Sequence, residues 1–266
     1  MLTLRSPREI ARMRWPGLIV WRAHQEVAQK VAPGVTTGEL DAVVEAVFAR
    51  YAAEPLFKGV PGKVPFPSAT CISVNEAVVH GIPGDRVLRE GDIVSVDTGC
   101  RYEGWCGDSA YTHAVGEIAP RTRELLDVTS ETLALAIRLM GERKWWSEVA
   151  EEMAQWVRSH GFSVVESFSG HGIGKTMHEE PQAPNYSSVD LKRRDFPLKP
   201  GLVLAIEPMV NRGAKGVRCL ADHWTQVTTD GSPSAHFEHT IAITLAGPLV
   251  LTGPPVTDEE RAFCSR

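Results

Sequence analysis

Apolar positions along this chain fall into a helical period, then into short runs, and then repeat that order. Ile10, Met13, Val20, Val27 and Val31 mark one face of an interrupted helix. Ser6-Pro7-Arg8-Glu9 opens it with a capping residue, a proline at the first helical position and an acid three residues after the cap. Pro16 predicts a kink or restart, and Pro33-Gly34 an end. A second capping box, Thr36-Thr37-Gly38-Glu39, opens a helix through Leu40, Val43, Val44, Val47 and Phe48. Pro55, Gly59, Pro61, Gly62, Pro65 and Pro67 crowd residues 54–68 and predict a loop of restricted backbone. From Ala69 to about Gly116 the runs are β-branched and punctuated by Gly-Asp turns, which predicts strands. Helical periodicity returns over 120–141 and 147–160, and residues 162–245 are strand-like again. The order is helix-helix-strands, twice: an α+β chain of two similar halves.

One strand pattern occurs in both halves. Leu88-Arg89-Glu90-Gly91-Asp92-Ile93-Val94-Ser95-Val96-Asp97 matches Leu198-Lys199-Pro200-Gly201-Leu202-Val203-Leu204-Ala205-Ile206-Glu207. Each copy reads leucine, cation, one variable residue, glycine, a mostly aliphatic run, then an acid. Such a strand is buried over most of its length, so its terminal carboxylate arrives where charge is costly unless it is paired or bound to a metal. A single acid of this kind reads more readily as a paired core carboxylate. Two copies favour two half-domains facing each other across a metal site.

Composition narrows the partners. The 266 residues are 43% hydrophobic and 23% charged, ordinary for a globular protein. A net charge of −5 without a basic run argues against nucleic acid or an anionic membrane surface as the main partner. Cys71, Cys100, Cys106, Cys219 and Cys264 are odd in number and form no CxxC pair, which suits reduced thiols rather than a disulfide framework. The apolar runs fall short of the roughly 18 residues that a membrane span needs. Residues Met1–Arg8 hold no apolar signal-peptide core. The expectation is a soluble cytoplasmic protein.

The candidate chemistry gathers around the two strand acids. Asp97 and Asp108 are separated by a Glu103-Gly104 turn, so a hairpin would bring both carboxylates onto one face. Ser169-Gly170-His171-Gly172-Ile173-Gly174 flanks an imidazole with glycines that permit close backbone approach. His178-Glu179-Glu180-Pro181 follows, and Phe237-Glu238-His239-Thr240 leads into a final strand. Asp97, Asp108, Glu207 and Glu238 are too negative for one cation but balance two, with His171 as the single imidazole. Oxygen-rich ligation with one imidazole favours Mn, Fe, Co or Zn. Two adjacent divalent ions activate water and clamp a tetrahedral intermediate in hydrolysis. Singly, each residue has a plainer reading: Asp108 as a turn cap, His171 as a core histidine, Glu238 as an arginine partner.

With these motifs in order, the chain resembles the bacterial-type (type I) methionine aminopeptidases. The matching stretches are Cys71-Ile-Ser-Val-Asn-Glu76, His80-Gly-Ile-Pro83, Gly91–Asp97, Gly107-Asp108, Gly170–Gly174, Met177-His-Glu-Glu-Pro-Gln182, Leu198–Gly201, Ile206-Glu-Pro-Met-Val-Asn211 and Glu238-His-Thr240. They run from about residue 4 to 245. The resemblance implies a pita-bread (creatinase/aminopeptidase) fold, two pseudo-symmetric halves with an antiparallel sheet covered by helices. Residues 1–250 would form one catalytic domain and 251–266 a polar C-terminal tail. It assigns Asp97, Asp108, His171, Glu207 and Glu238 to two divalent metal ions. His80 and His178 become imidazoles that hydrogen-bond the scissile amide and the oxyanion. Glu207 takes the proton shuttle from water to leaving amine. Cys71, Phe66, Met177 and Trp224 line a pocket for a methionine side chain, an unbranched thioether suited to soft and aromatic walls. The partners implied are N-termini of nascent polypeptides with a small second residue, with the ribosome as a candidate meeting place, and a monomer is expected. Because Leu2 follows it, Met1 is expected to be retained.

Three positions depart from the family pattern. Lys63 and Val64 stand where the family commonly has tyrosine and histidine, and Met177 where an aromatic is usual; all three bear on pocket shape and specificity. Other readings compete less well. A proline-directed peptidase of the same fold usually carries an extra N-terminal domain, and the Cys71 motif favours the methionine enzymes. A binding protein that had lost catalysis would typically have lost metal ligands, and a mononuclear iron oxygenase would need two histidines and one carboxylate.

Overall fold

The computed structural model describes residues 2–266; Met1, and with it the expectation of its retention, lies outside them. The first half runs α1 (Pro7–Lys30), α2 (Thr37–Arg50), β1 (Glu54–Pro55), β2 (Thr70–Val74), β3 (Ala77–Val79), β4 (Ile93–Tyr102) and β5 (Trp105–Ala114). The second runs α3 (Pro120–Met140), α4 (Trp146–Ser159), β6 (Ser163–Val164), β7 (Gly170–Gly172), β8 (Glu179–Ala183), α5 (Val189–Arg193), β9 (Val203–Ile206) and β10 (Met209–Asn211). It continues through β11 (Val217–Cys219), β12 (Gln226–Thr228), β13 (Ser234–His236), β14 (His239–Thr244), β15 (Gly247–Val250) and α6 (Asp258–Cys264). All strand pairing is antiparallel, and the helices cover the sheets, as the motifs imply.

The repeated motif folds alike in both places. Gly91 (φ 88°) and Gly201 (φ 97°) turn in the left-handed region that favours glycine. Gly91 N–H donates to Val115 C=O at 2.9 Å, and Gly201 N–H to Ile243 C=O at 2.8 Å. Val115 N–H then donates to Asp92 C=O at 2.9 Å, and Ile243 N–H to Leu202 C=O at 2.8 Å. From these turns β4 runs between β2 and β5, and β9 between β7 and β14. Each central strand presses its aliphatic face onto helices. Val94 and Val96 share one core with Leu18, Val20 and Val44, whereas Leu204 and Ile206 share another with Leu125, Leu139 and Val149.

α1 is one continuous helix with Pro16 inside it, not two pieces. Tertiary packing overrides the proline. A Cβ on Gly17 would run into the Leu251 carbonyl, and one on Gly107 would meet the Gly17 amide at 2.8 Å. The helix therefore lies in backbone contact with β5 and the C-terminal segment, and these contacts keep it continuous through the missing hydrogen bond.

Residues 251–266, expected as a polar tail, are folded onto α1. Buried Arg14 donates from Nε to Glu260 Oε1 at 2.9 Å and from Nη1 to the Leu251 and Gly253 carbonyls at 2.6 and 2.9 Å. Thr257 caps α6, and Phe263 packs on Trp15 and Tyr51 with ring centroids 4.9 and 5.0 Å apart. The segment is polar on its outer face, where Asp258, Glu259 and Arg261 are exposed, while Glu260 and backbone carbonyls satisfy the buried guanidinium.

Candidate active site

The two halves meet where β5 lies against Glu238 and the start of β14, and the candidate ligands lie along this seam. Thr240 Oγ donates to Asp108 C=O at 2.9 Å, Ser109 Oγ to Glu238 C=O at 2.8 Å, and Glu238 N–H to Ala110 C=O at 2.9 Å. On the β4–β5 hairpin Asp97 pairs with Ala110 and Asp108 with Gly99, a two-residue offset that puts both carboxylates on one face. The turn between them uses Glu103 and Gly104 at positive φ, as a two-residue hairpin requires. Gly99 leaves room for its neighbour: a Cβ there would meet the Asp108 carboxylate at 2.9 Å.

His171 sits on β7 between Gly170 and Gly172, where added Cβ atoms would strike the Ala205 and Glu180 carbonyls. Its Nδ1 lies 2.9 Å from the Gly172 carbonyl. A carbonyl only accepts, so Nδ1 carries the proton and Nε2 keeps its lone pair. That lone pair faces Glu207 Oε1 at 3.5 Å. One ligand atom each from Asp108, His171 and Glu238 falls within 4.8 Å of the others.

This cluster has the electrostatics of a cation site. Asp97 Oδ1, Asp108 Oδ1 and Glu238 Oε1 are buried without any hydrogen-bond partner among the described residues. Burial and mutual repulsion push the carboxyl groups of Asp97, Glu207 and Glu238 well above the usual range; burial does the same to Asp108. No arginine or lysine lines the cavity among the described residues. Orphaned carboxylate oxygens around an imidazole lone pair are a donor set that fits hard or borderline divalent ions.

The candidate ligands, His80, His178 and the four pocket residues assigned from the sequence all line one cavity of about 180 Å³. The acids and His171 close one end. Phe66, Cys71, Met177 and Trp224 form an apolar wall, with Phe66 and Trp224 edge to face at 5.2 Å. His80 and His178 stand between the two regions, the His178 ring 4.4 Å from that of His171. Burial holds His80 down to about 4 and also lowers His178, so both are neutral near pH 7. His80 adopts φ 59°, and the next residue, Gly81, lies against the Ile72 carbonyl with no room for a Cβ. Backbone strain of this kind persists where neighbouring structure enforces it.

Sequence reasoning missed three residues. Phe57 and Val60 complete the apolar wall from the proline-rich loop, which has no periodicity to announce an inward face. His236 places Nε2 3.7 Å from Glu207 Oε2. Its signal was its position two residues before Glu238, the spacing that shares a face in an extended strand. Lys63 and Val64 do not line the cavity. The Val64 side chain is exposed, and its carbonyl accepts from Trp224 Nε1 at 2.8 Å.

The sequence profile described as metallopeptidase family M24 matches residues 11–245. Methionine aminopeptidase 1 of Bacillus subtilis is 45% identical over 252 residues, covering 95% of this chain and 99% of that one. The chain belongs to metallopeptidase family M24. Within the family, the methionine aminopeptidase of Clostridium perfringens is 42% identical over 252 residues, covering 95% of this chain and 99% of its own. The crystal structure of methionine aminopeptidase from Thermotoga maritima superimposes with a TM-score of 0.90 at 42% identity, covering 96% of this chain and 100% of that one. A prolidase from Pyrococcus furiosus shares the pita-bread fold at 22% identity, with a TM-score of 0.73; 96% of this chain spans 66% of it. The M24 match and near full-length likeness place the chain among the type I methionine aminopeptidases of that family.

Proposed function

We propose that this chain is a metal-dependent aminopeptidase that removes the N-terminal methionine from polypeptides whose second residue is small. One observation carries the reading: unpartnered buried carboxylate oxygens and the His171 lone pair close one end of a cavity whose wall is thioether-compatible and aromatic. Asp97, Asp108, His171, Glu207 and Glu238 would hold two divalent ions drawn from Co, Mn, Fe or Zn. When bound, such ions lower the pKa of water and polarise a carbonyl.

The chain's own groups do the rest. Phe66, Cys71, Met177 and Trp224, joined by Phe57 and Val60, seat the methionine side chain in a space sized for one residue. His80 and His178, kept neutral by burial, each have one N–H to give: to the scissile amide and to the oxygen that gains charge. Glu207 takes a proton at its carboxylate and passes it to the leaving amine. A pocket of about 180 Å³ beside these groups has room for about one side chain before the scissile bond, which suits an exopeptidase.

The substrates are N-termini of nascent chains, met in the cytoplasm and at the ribosome by a monomeric enzyme. No helix of the described residues is long and apolar enough to cross a membrane. The likeness to prolidases supplies the competing reading, cleavage of Xaa-Pro peptides. The test is to strip the protein of metal, reload it separately with Co, Mn, Fe and Zn, and assay Met-Gly, Met-Leu and Xaa-Pro peptides. Release of methionine alone, from Met-Gly peptides and only after reloading, is expected. Preferred cleavage of Xaa-Pro, or cleavage unaffected by stripping, overturns the reading.

A further inference from the structure

His236 has a buried imidazole that no step above uses. It ends β13 with 1% of its surface exposed, and both of its backbone groups are spoken for. Its N–H donates to Thr112 Oγ at 2.8 Å, and the Thr112 hydroxyl donates back to the His236 carbonyl at 2.8 Å. Ser95 Oγ, 2.8 Å away, supplies the remaining bond to Thr112. The backbone of His236 is thus fastened across the seam to β5, whose Asp108 is a candidate ligand. Its ring nitrogen is not fastened: Nε2 is buried with no hydrogen-bond partner among the described residues, and the carboxylate Oε2 of Glu207 lies 3.7 Å from it. A buried donor without a partner costs about 1–3 kcal/mol. Closing this gap by less than about 1 Å reaches ordinary hydrogen-bonding distance.

We propose that His236 is the positioning residue for Glu207, its Nε2–H donating to Oε2 so that Oε1 is held toward His171. The proposal rests on the aminopeptidase reading and deepens it. Glu207 has two oxygens and two imidazole neighbours of opposite character. His171 presents a lone pair to Oε1, which leaves space for a cation between them. A neutral imidazole at His236 offers an N–H to Oε2. The carboxylate is then fixed in rotation by a protein donor on one side while its other oxygen serves the metal site. Outer partners of this kind orient ligating groups, and their loss typically weakens metal binding by about 10–100-fold.

The test uses the full chain with His236→Gln, which keeps an N–H donor, and His236→Leu, which keeps bulk and removes it. Calorimetric titration with Mn(II) is expected to give about tenfold weaker binding for His236→Leu and less than about threefold for His236→Gln. Turnover of a Met-Gly peptide should fall in the leucine variant with KM little changed, and glutamine should restore most of it. If both variants match the parent in Mn(II) affinity and turnover, or melt lower by equal amounts with no difference between them in Mn(II) affinity, the ring is only packing and the proposal fails. Parent protein that binds no divalent ion would instead defeat the aminopeptidase reading itself. Should His236→Leu fail to fold, nitrogen NMR of the histidine-labelled parent decides the matter. The Nε2–H tautomer in the Zn(II)-loaded protein is expected; the Nδ1–H tautomer overturns the proposal.

Discussion

The two halves build their share of the site from one turn but by different strand neighbours. In the first, Asp97 and Asp108 lie inside a hairpin of two ten-residue strands with a fully paired backbone. In the second, Glu207 follows the end of the four-residue β9, Glu238 falls between β13 and β14, and His171 occupies the three-residue β7. The first half supplies short carboxylates from a rigid ladder. The second supplies longer carboxylates from strand ends, and the only imidazole among the five candidate ligands. The delivering turn is common to both; the chemistry is set by which strand pairs next to it. The same asymmetry reaches the helices. Thr36 Oγ accepts from Glu39 N–H at 3.2 Å to cap α2, whereas Trp145 has no side-chain acceptor and α4 relies on Glu148 reaching back to the Trp145 N–H at 2.9 Å.

The sharpest way to break the comparison is within the second half. His171→Ala should lower divalent-metal content, measured by metal analysis after dialysis. His178→Ala should keep its metal and lose about 100-fold or more in turnover, as for an oxyanion donor. Equal metal loss in both variants would refute the division between ligand and donor.

Next in size is discrimination at the second residue. The second side chain must fit beside the candidate metal ligands, next to the cavity whose aromatic wall the Trp224–Val64 bond braces. Rejection of a Met-Leu relative to a Met-Gly peptide should be worth at least about 2 kcal/mol in kcat/KM, the scale of overpacking a tight site. Efficient cleavage of Met-Leu would mean that the loop carrying Lys63 and Val64 yields.

A smaller effect links pH to metal. In the metal-free protein burial raises the carboxyl groups of Asp97, Asp108, Glu207 and Glu238, so the folded state keeps protons that the unfolded chain releases above about pH 4. Metal-free stability therefore falls as pH rises through this range, and a bound cation removes that loss. Buried His24, held down to about 3, acts oppositely: its contribution is lost as pH falls below about 6.5, with or without metal. The gap in Tm between loaded and metal-free protein should widen from pH 5.5 to 8 in thermal scans; a gap that narrows would contradict the site's electrostatics.

The smallest effect separates the two caps. Thr36→Ala should cost about 1 kcal/mol by denaturant unfolding. Trp145→Ala, at a half-exposed position without a cap bond, should cost under about 0.5 kcal/mol.

Much of this was legible beforehand because it depends on local pattern. Periodicity and caps placed α1 to α4, and the repeat with its terminal acids pointed to the seam before any geometry was known. What escaped depends on distant partners. The continuity of α1 through Pro16 comes from backbone contact with Gly107 and Leu251. The inward face of Phe57 and Val60 follows from Trp224 and Phe66, not from any period in the loop. The role of His236 requires knowing that Glu207 lies opposite. The C-terminal segment was readable and unread: Thr257-Asp258-Glu259-Glu260 is a capping box, with Glu260 N–H donating to Thr257 Oγ at 3.1 Å.

The turn shared by the halves also makes each copy a counting device. Six positions separate Gly91 from Asp97, and six separate Gly201 from Glu207. Side chains alternate faces along a strand, so the glycine fixes the phase and the count fixes which face the acid meets. Inserting one residue after either glycine would turn that acid away from the cavity and expose the aliphatic face of the strand, while every residue type stayed the same. Inserting two would restore the face but carry the acid about 7 Å along the strand, out of reach of its partners across the seam. Substitution can therefore drift widely between each glycine and its acid, whereas length cannot drift at all.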